Sequence, residues 1–354
     1  MKIFYAVQAT GNGHIARAIE LLPYLQKYGS VHVFLSGSNS SLPTNAALPV
    51  EFTSKGVSLM YSKSGGLNYW KTIKNCNPIK VYREAKQLPI EKFDVVINDF
   101  DCITSLACRL KKIPSISFGH QASFKSMLTP RPQKRDFLGE NVLQHFAPAT
   151  KYIGLHFESY DQDIYSPILK KEILESSSVN EGHVTVYLPH YDDFLLLKHL
   201  RHINHTRFEI FTKRVTQPEV NKNITFLPIG NQAFCKSMLS SKGIITGGGF
   251  ETPAEALYLG KQLMILPIRG QYEQQCNAAA LEKFGIPVLQ EINHQFTATV
   301  RTWLNTEQNF KLQLQHSTAE IVARVIQTAE SFRREETTEI ATQNFAQQLI
   351  YTNA

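Results

Sequence analysis

The sequence lacks the marks of several common protein classes. Its five cysteines include no Cys-x-x-Cys pair and form an odd set: Cys76, Cys102, Cys108, Cys235 and Cys276. This pattern argues against a disulfide scaffold or a zinc site and favours a reducing compartment. No stretch approaches the ~18 apolar residues of a spanning helix. Residues 1–8 are too short for a signal peptide and indicate a first strand. We therefore expect a cytoplasmic protein, at most peripheral on the inner face of the cell membrane.

The sequence also lacks a basic run of the kind that binds nucleic acid. The formal net charge is +7, but the densest basic cluster, Arg131, Lys134 and Arg135, is interrupted by prolines. Because the basic residues do not group with a recognition helix, we predict no nucleic-acid partner. The mild positive charge fits a phosphorylated ligand or an anionic membrane surface, and it also fits simple solubility.

What the sequence does contain is an alternation of strand and helix patterns. An apolar run over residues 3–7 has the character of a buried parallel strand, and a helical stripe follows over 15–25. Similar βαβ patterns continue to residue 118 and resume over residues 184–284. This alternation of strands and helices predicts the α/β class, with doubly wound parallel sheets.

The length of 354 residues suits two domains. We predict an N-terminal domain over 1–165, a linker over 166–182 and a C-terminal domain over 183–325. A last helix over 326–354 is expected to pack back on the N-terminal domain. Residues 36–92 and 120–148 fit this alternation less well and are interpreted as insertions at the open end of the sheet, with aromatic and basic residues interleaved in 61–83 and 124–135. The alternative is ordinary loop and helix packing.

The first candidate site directly follows the first strand. Gly11, Asn12 and Gly13 form a tight turn where backbone amides at a helix N-terminus can meet an anion. His14 projects from the same turn, at the carboxyl edge of the sheet where ligands bind, and can act as a general base. The alternative is that His14 only caps the helix.

A carboxylate that orients the histidine would strengthen this interpretation. Asp99 and Asp101 follow the strand over 95–97 and so reach the same rim. Either could contact His14, and either could instead cap the next helix, a position that aspartate favours. We favour Asp99 and leave Asp101 open.

The second candidate site is a glycine loop between a strand and a helix. Gly247, Gly248 and Gly249 leave bare backbone against which a diphosphate can lie. Phe250 and Thr252 follow, and Thr252 can add a hydroxyl. Glu255 lies one turn into the helix, where its carboxylate could accept both ribose hydroxyls. The alternative, a surface loop with solvated glutamates, is less consistent with three adjacent glycines.

The third candidate site opens the next helix and should lie beside the glycine loop. Glu273 and Gln274 offer acceptors and donors suited to sugar hydroxyls. Asn277 shares their helix face and is either a ligand or a structural contact.

Residues 11–17 and 247–278 resemble the GT-B glycosyltransferases that use nucleotide sugars. The similar branch includes the lipid II N-acetylglucosaminyltransferase, plant monogalactosyldiacylglycerol synthase and the UDP-glycosyltransferases. The specific signal is Gly249-x-x-Thr252-x-x-Glu255 followed by Glu273-Gln274-x-x-Asn277-Ala278. Residues 94–118 and 166–174 also match. The resemblance implies two Rossmann-like domains that face each other across a cleft, with the acceptor bound by the domain over 1–165 and the nucleotide sugar by the domain over 183–325.

The resemblance also implies roles for individual residues. It makes His14 the base, Asp99 its partner and Glu255 the ribose ligand, with Gly248, Gly249 and Thr252 at the diphosphate and Glu273 and Gln274 at the donor sugar. Asn231 and Phe234 could line the base pocket. One position departs from the family: the plant and glucuronosyl enzymes carry a diphosphate-binding histidine where this sequence has Gly247. Backbone amides or another cation must then bind the diphosphate in place of that histidine, and the resemblance supports UDP as the donor nucleotide less strongly.

The implied reaction is inverting transfer of a hexose or N-acetylhexosamine from a nucleotide diphosphate sugar, with UDP favoured, to an acceptor hydroxyl. We expect no cofactor and no metal, because Asp99-Phe100-Asp101 has metal-motif spacing but belongs to the other domain. The basic and aromatic insertions favour a lipid acceptor at an anionic membrane surface, and a soluble aglycone stays open. A hydrolase or 2-epimerase of the same fold, and a non-enzymatic nucleotide-sugar binding protein, are the alternatives.

Overall fold

The computed structural model describes residues 1–9, 11–37, 48–56 and 77–332. The first half contains a seven-stranded parallel sheet in the order β3-β2-β1-β4-β5-β6-β7. Its strands are β1 Lys2–Gln8, β2 Ser30–Ser36, β3 Val50–Ser54, β4 Val95–Asp99, β5 Ile116–Gly119, β6 Lys151–Leu155 and β7 Ile164–Tyr165. The strand order reverses beside β1, so the loops after β1 and β4 flank a crevice at the carboxyl edge of the sheet.

Helices cover both faces of this sheet. They are α1 Asn12–Leu25, α2 Pro78–Gln87, α3 Cys102–Lys111 and α4 Phe137–His145, with short 3₁₀ turns at Gln26–Tyr28, Ile90–Lys92 and Gln121–Lys125. Tyr5 packs in the core with Ile15 of α1, whereas Phe4 packs in the core with Ile103 of α3. Alternate residues of β1 are thus buried on opposite faces, which explains its uninterrupted apolar run.

The second half contains a six-stranded sheet in the order β10-β11-β9-β8-β12-β13. Its strands are β8 His183–Tyr187, β9 Arg207–Thr212, β10 Glu219–Asn221, β11 Ile224–Pro228, β12 Gly243–Thr246 and β13 Gln262–Ile265. All pairs are parallel except β10 with β11. The helices are α5 Lys171–Glu175, α6 Asp193–Leu200, α7 Asn231–Ser240, α8 Glu251–Tyr258, α9 Tyr272–Glu282 and α10 Phe296–Leu304.

The predicted α/β class with two Rossmann-like doubly wound sheets is confirmed. The domain limits stay a prediction: β7 ends at Tyr165 and β8 begins at His183, and the intervening segment, expected as a linker, holds the short helix α5. Residues 318–332 are helical. Arg324 in this segment forms an ion pair with Asp163, at 3.2 Å, in the first half. The rest of the predicted last helix lies outside the described residues.

One interpretation of the first half was wrong. The segment after β2 was taken as an insertion, but it includes β3, which pairs in parallel with β2 at the sheet edge. The residues of β3 alternate between half-buried and exposed, so this edge strand lacks the apolar run that marks the buried strands. The predicted aromatic and basic residues of 61–74 lie outside the described residues. Within the described ranges, no helix is both long and apolar enough to cross a membrane.

Candidate functional site

A cleft of about 660 Å³ separates the two sheets, and both halves line it. The loop after β1 contributes Gly11, Asn12, Gly13 and His14, and the loop after β12 contributes Gly247, Gly249, Phe250 and Thr252. Glu273 and Gln274 of α9 line the same space. The structure therefore brings most of the predicted site residues to one cleft.

His14 contacts Asp99 across the crevice between β1 and β4. Its Nδ1 lies 2.9 Å from Oδ1 of Asp99, which is 1% exposed. Because a carboxylate accepts hydrogen bonds, this contact favours the tautomer in which Nδ1 carries the proton. Nε2 then holds the lone pair and lies 3.4 Å from the side-chain amide nitrogen of Gln121, another residue of the cleft. The arrangement suits removal of a proton by Nε2.

Arg17 shares the same carboxylate. It lies one turn after His14 on α1, and its Nη2 is 2.8 Å from Oδ2 of Asp99 while its Nε is 3.2 Å from the same oxygen. Its Nη1 forms an ion pair with Glu251, the first residue of α8 in the other half. Arg17 is 2% exposed and Asp99 1%, so their ion pair is shielded from solvent, whereas the Glu251 side chain is 22% exposed.

These charges set the pKa values of the cluster. Burial alone would lower the pKa of His14, but the charge of Asp99 and the hydrogen bond to it raise that pKa above its ordinary value. Burial would raise the pKa of Asp99, yet Arg17 and His14 hold it below its ordinary value. Asp99 is thus an anion that stabilises the protonated form of His14.

Asp101 has a different task, although it is also buried. Its Oδ2 accepts a hydrogen bond of 2.6 Å from the backbone amide of Thr104 and so caps the N-terminus of α3. Of the two aspartates considered, the structure places Asp99 beside His14. Gly119, with φ of +151°, gives Asp99 its room, because a Cβ at this position would lie 2.6 Å from Oδ1 of Asp99.

The glycine loop leads directly into α8. Phe250 stands at the N-cap position, and no side chain among the described residues caps this helix. The positive end of α8 thus faces the cleft, beside the bare backbone of Gly247 and Gly249. This geometry can accept an anion from the cleft.

Gln274 and Asn277 support the glycine loop. Oε1 of Gln274 accepts hydrogen bonds from the backbone amides of Gly248, at 3.0 Å, and Ile268, at 2.9 Å. Nδ2 of Asn277 donates to the carbonyl of Gly248 at 3.0 Å, which agrees with the structural alternative for Asn277. The Gly248 amide, expected at the diphosphate, is therefore already hydrogen-bonded. Glu273 accepts a 3.0 Å hydrogen bond from Gln121 across the cleft.

Glu255, Asn231 and Phe234 lie outside the lining of this cleft. Glu255 is 2% exposed and forms an ion pair with Lys170 at 3.1 Å, so its carboxylate is engaged by the segment between the two sheets. Phe234 packs against Tyr187, whose ring centroid is 5.3 Å away and which does line the cleft. A ribose contact by Glu255 would require exchange of its Lys170 partner, and its expected role stays a prediction.

His120 joins the two halves at the floor of the site. Its ring stacks on Phe250 with centroids 3.9 Å apart and an interplanar angle of 6°. Its Nε2 lies 2.7 Å from Oδ1 of Asn277, and its Nδ1 donates to the carbonyl of Leu155 at 2.9 Å. Burial lowers the pKa of His120.

Four residues at the site were not predicted from the sequence: Arg17, His120, Gln121 and Lys170. Two signals were available. Arg17 follows His14 by three residues and so shares its helix face. His120 and Gln121 directly follow β5, at the same sheet edge as Asp99.

Among the described residues, no group of three or more His, Cys, Asp and Glu side chains could hold a metal ion. The expectation that the reaction requires no metal stays a prediction.

Comparison with solved structures supports the fold. Phytolacca americana UGT2, complexed with UDP-2-fluoro-glucose and pterostilbene, has a TM-score of 0.57 and 13% identity, over 93% of this chain and 98% of that one. Acinetobacter baumannii MurG has a TM-score of 0.54 and 16% identity, over 94% and 99%. VinC, a glycosyltransferase in complex with dTDP, has a TM-score of 0.52 and 13% identity, over 94% and 100%. No curated protein sequence matches significantly.

The family assignment rests on a match of the sequence to a family model. The family model for glycosyl transferase family 1 matches residues 1–306, which include both sheets and every residue of the cleft. The chain belongs to glycosyl transferase family 1 and is a glycosyltransferase with the GT-B fold.

Proposed function

We propose that the protein is an inverting glycosyltransferase that moves a hexose or N-acetylhexosamine from a nucleotide diphosphate sugar to a lipid-linked hydroxyl. The observation that carries the proposal is the 2.9 Å contact between Nδ1 of His14 and Asp99, which leaves Nε2 as the base beside the cleft. The donor would lie against Gly247 and Gly249, at the positive end of α8.

The chemistry is a single displacement at the anomeric carbon. Nε2 of His14 takes the proton of the acceptor hydroxyl, and the acceptor oxygen forms the new bond to the anomeric carbon. The bond between that carbon and the diphosphate oxygen breaks, and its electron pair leaves with the diphosphate. Attack opposite to the leaving group inverts the anomeric centre. Asp99 stabilises the imidazolium as it forms.

We propose that the reaction requires no metal, because fixed protein charges can meet the diphosphate as it leaves. UDP is the first donor nucleotide to test, on the resemblance to the UDP-glycosyltransferases, and dTDP and GDP follow. The identity of the nucleotide base is tested rather than assumed, because Gly247 departs from the pattern of the UDP-glycosyltransferases that the sequence resembles.

The proposed lipid acceptor is supported by an exposed segment that follows the cleft. The 3₁₀ turn Gln121–Lys125 begins at the cleft-lining Gln121 and leads to Met127 and Leu128, which are 66% and 65% exposed. Phe137, 78% exposed, lies ten residues further on. We call Met127, Leu128, Phe137 and Leu138 the apolar patch.

Exposed basic side chains accompany the apolar patch: Lys125, Lys134 and Arg135. Exposed apolar and basic side chains within one short segment suit the boundary between headgroups and acyl chains of an anionic membrane. We therefore propose peripheral binding at the inner face of the cell membrane.

The transferase is tested by nucleotide release from UDP-, GDP- and dTDP-sugars, with and without a lipid extract. Release that requires the extract and disappears in His14→Ala supports the proposal. His205→Ala, an exposed histidine away from the cleft, is the matched control and should retain release. Release of equal rate without any acceptor would indicate a hydrolase instead.

Membrane binding is tested separately by cosedimentation with phosphatidylcholine vesicles, with and without phosphatidylglycerol. Met127→Ser with Leu128→Ser should weaken binding to the anionic vesicles. Phe194→Ser is the control, because Phe194 is 70% exposed on the other half of the chain. Equal binding by all three proteins would refute the docking surface.

A further inference from the structure

Arg17 is a buried cation with two separate carboxylate partners. Its Nε and Nη2 contact Asp99 at 3.2 and 2.8 Å, within its own half of the molecule. Its remaining nitrogen, Nη1, contacts Glu251 of the opposite half. The contacts of Nε and Nη2 with Asp99 hold the guanidinium in place, so Nη1 is the nitrogen that can change partners.

Glu251 holds the position where an anionic ligand would be expected. It is the first residue of α8, immediately after the glycine loop, and lines the cleft at 22% exposure. Its carboxylate also lies against the other glycine turn, since a Cβ at Gly13 would lie 2.5 Å from its Oε2. A carboxylate thus fills the space between two glycine turns and two helix N-termini, a setting that suits phosphate oxygens.

The cleft otherwise offers little fixed positive charge. Lys213 lines it but is exposed to solvent, whereas Arg17 is 2% exposed. A guanidinium at a desolvated site binds phosphate oxygens through directed N–H bonds and cannot lose its proton.

We propose that donor binding replaces the Glu251 carboxylate on Nη1 of Arg17, so that the donor diphosphate takes the position that this carboxylate holds. Arg17 is then a catalytic residue that contacts the leaving diphosphate and donates an N–H bond to the oxygen that receives the electron pair. Glu251 acts as an internal competitor that the donor must displace. This inference rests on the proposed function, because it requires a nucleoside diphosphate in the cleft.

The first test is calorimetric binding of UDP, GDP and dTDP, with uridine, guanosine and thymidine as probes that lack phosphate. Glu251→Gln removes the competing charge and should tighten binding of the preferred nucleoside diphosphate by about 3- to 10-fold, that is by up to about 1.4 kcal/mol. Its nucleoside should bind as it does to the unmodified protein. Unchanged or weaker diphosphate binding in Glu251→Gln would overturn the inference.

Glu140→Gln is the matched control. Glu140 is 20% exposed and pairs with Arg131, 4% exposed, in a contact much like that of Glu251 with Arg17. It also accepts a hydrogen bond from Tyr272 of the other half, but it lies outside the cleft. Glu140→Gln should leave diphosphate binding unchanged, and tightening equal to that of Glu251→Gln would refute a specific exchange.

A double-mutant cycle assigns the effect to Arg17. In Arg17→Lys, which keeps the charge but loses the planar fork, the gain from Glu251→Gln should shrink, and in Arg17→Gln it should vanish. If Arg17→Gln does not fold, the Lys background and the single Glu251 variant decide. Absence of diphosphate binding by every protein would refute the proposed function itself, whereas binding without the expected gain would refute only the exchange.

Discussion

Replacing Asp99 by Asn tests the centre of the site. Asp99 is 1% exposed and accepts hydrogen bonds from His14, at 2.9 Å, and from Arg17, at 2.8 Å. Asn preserves the shape of the side chain but removes the charge, and half of its head group becomes a donor. Since His14 and Arg17 both require an acceptor here, the variant should lose stability and activity together.

The structure sets the expected size of both losses. Removing one member of a buried ion pair costs about 3–5 kcal/mol, and we expect about 3 kcal/mol because Arg17 keeps Glu251 as a partner. Loss of the group that orients a general base should lower kcat by about 10²- to 10⁴-fold. That range corresponds to about 2.7–5.4 kcal/mol in the activation barrier.

Asp101→Asn provides the control for this experiment. Asp101 is equally buried and lies two residues away, but its carboxylate caps α3. Because Asn caps a helix as well as Asp does, stability should change by less than about 1 kcal/mol, with activity retained. Urea unfolding and nucleotide release measure the two effects. Equal losses in both variants, or full activity in Asp99→Asn, would refute the assigned roles.

Three further predictions concern charge. Lys261→Met should lower the free energy of unfolding, measured by urea titration, by about 2–4 kcal/mol. The reason is that Nζ of Lys261 donates hydrogen bonds to the carbonyls of Val179, Leu239 and Ser241, at 2.5, 2.8 and 2.6 Å. Lys242→Met is the control, because it loses only one such bond and should cost about 1 kcal/mol. The kcat/KM of transfer should rise with pH, with a midpoint above 6.5, the ordinary pKa of histidine. Asp99 raises the pKa of His14, and only neutral His14 accepts a proton. A midpoint below 6.5 would contradict this. The raised pKa of His14 also implies a stability contribution present at low pH and lost as pH rises through it. Lys170→Met should destabilise the fold by about 3–5 kcal/mol, because it leaves Glu255 buried without a counter-ion, and Lys170→Met with Glu255→Gln should recover part of the loss in thermal unfolding.

The sequence predicted most of the secondary structure that carries the site. β1, β4 and β12 are buried on both faces, so their apolar runs were visible without any alternation. The glycine turns after β1 and β12 were equally clear, since strand, glycine and helix follow one another directly. The short or weakly apolar elements β3, β7 and β10 were missed, because two to five residues at a sheet edge leave little periodicity.

The partners within the site could be predicted only in part. Strand order decides that the loops after β1 and β4 are neighbours, and a βαβ pattern alone does not give that order. Contacts between the halves, such as Arg17 with Glu251, join residues 234 positions apart and depend on how the two sheets face each other. The ion pair between Glu255 and Lys170 could not be predicted from the sequence for the same reason.

The stacking of Phe250 on His120 constrains how this enzyme can be recombined. Phe250 belongs to the glycine loop of the second half, while His120 belongs to the first, and their rings are 3.9 Å apart. A chimera that joins the first half of this chain to the second half of a related enzyme would lose this stack unless that enzyme has an aromatic residue at the position of Phe250. Exchange of halves to alter donor preference should therefore succeed only when the chimera keeps a stacking pair of rings at positions 120 and 250.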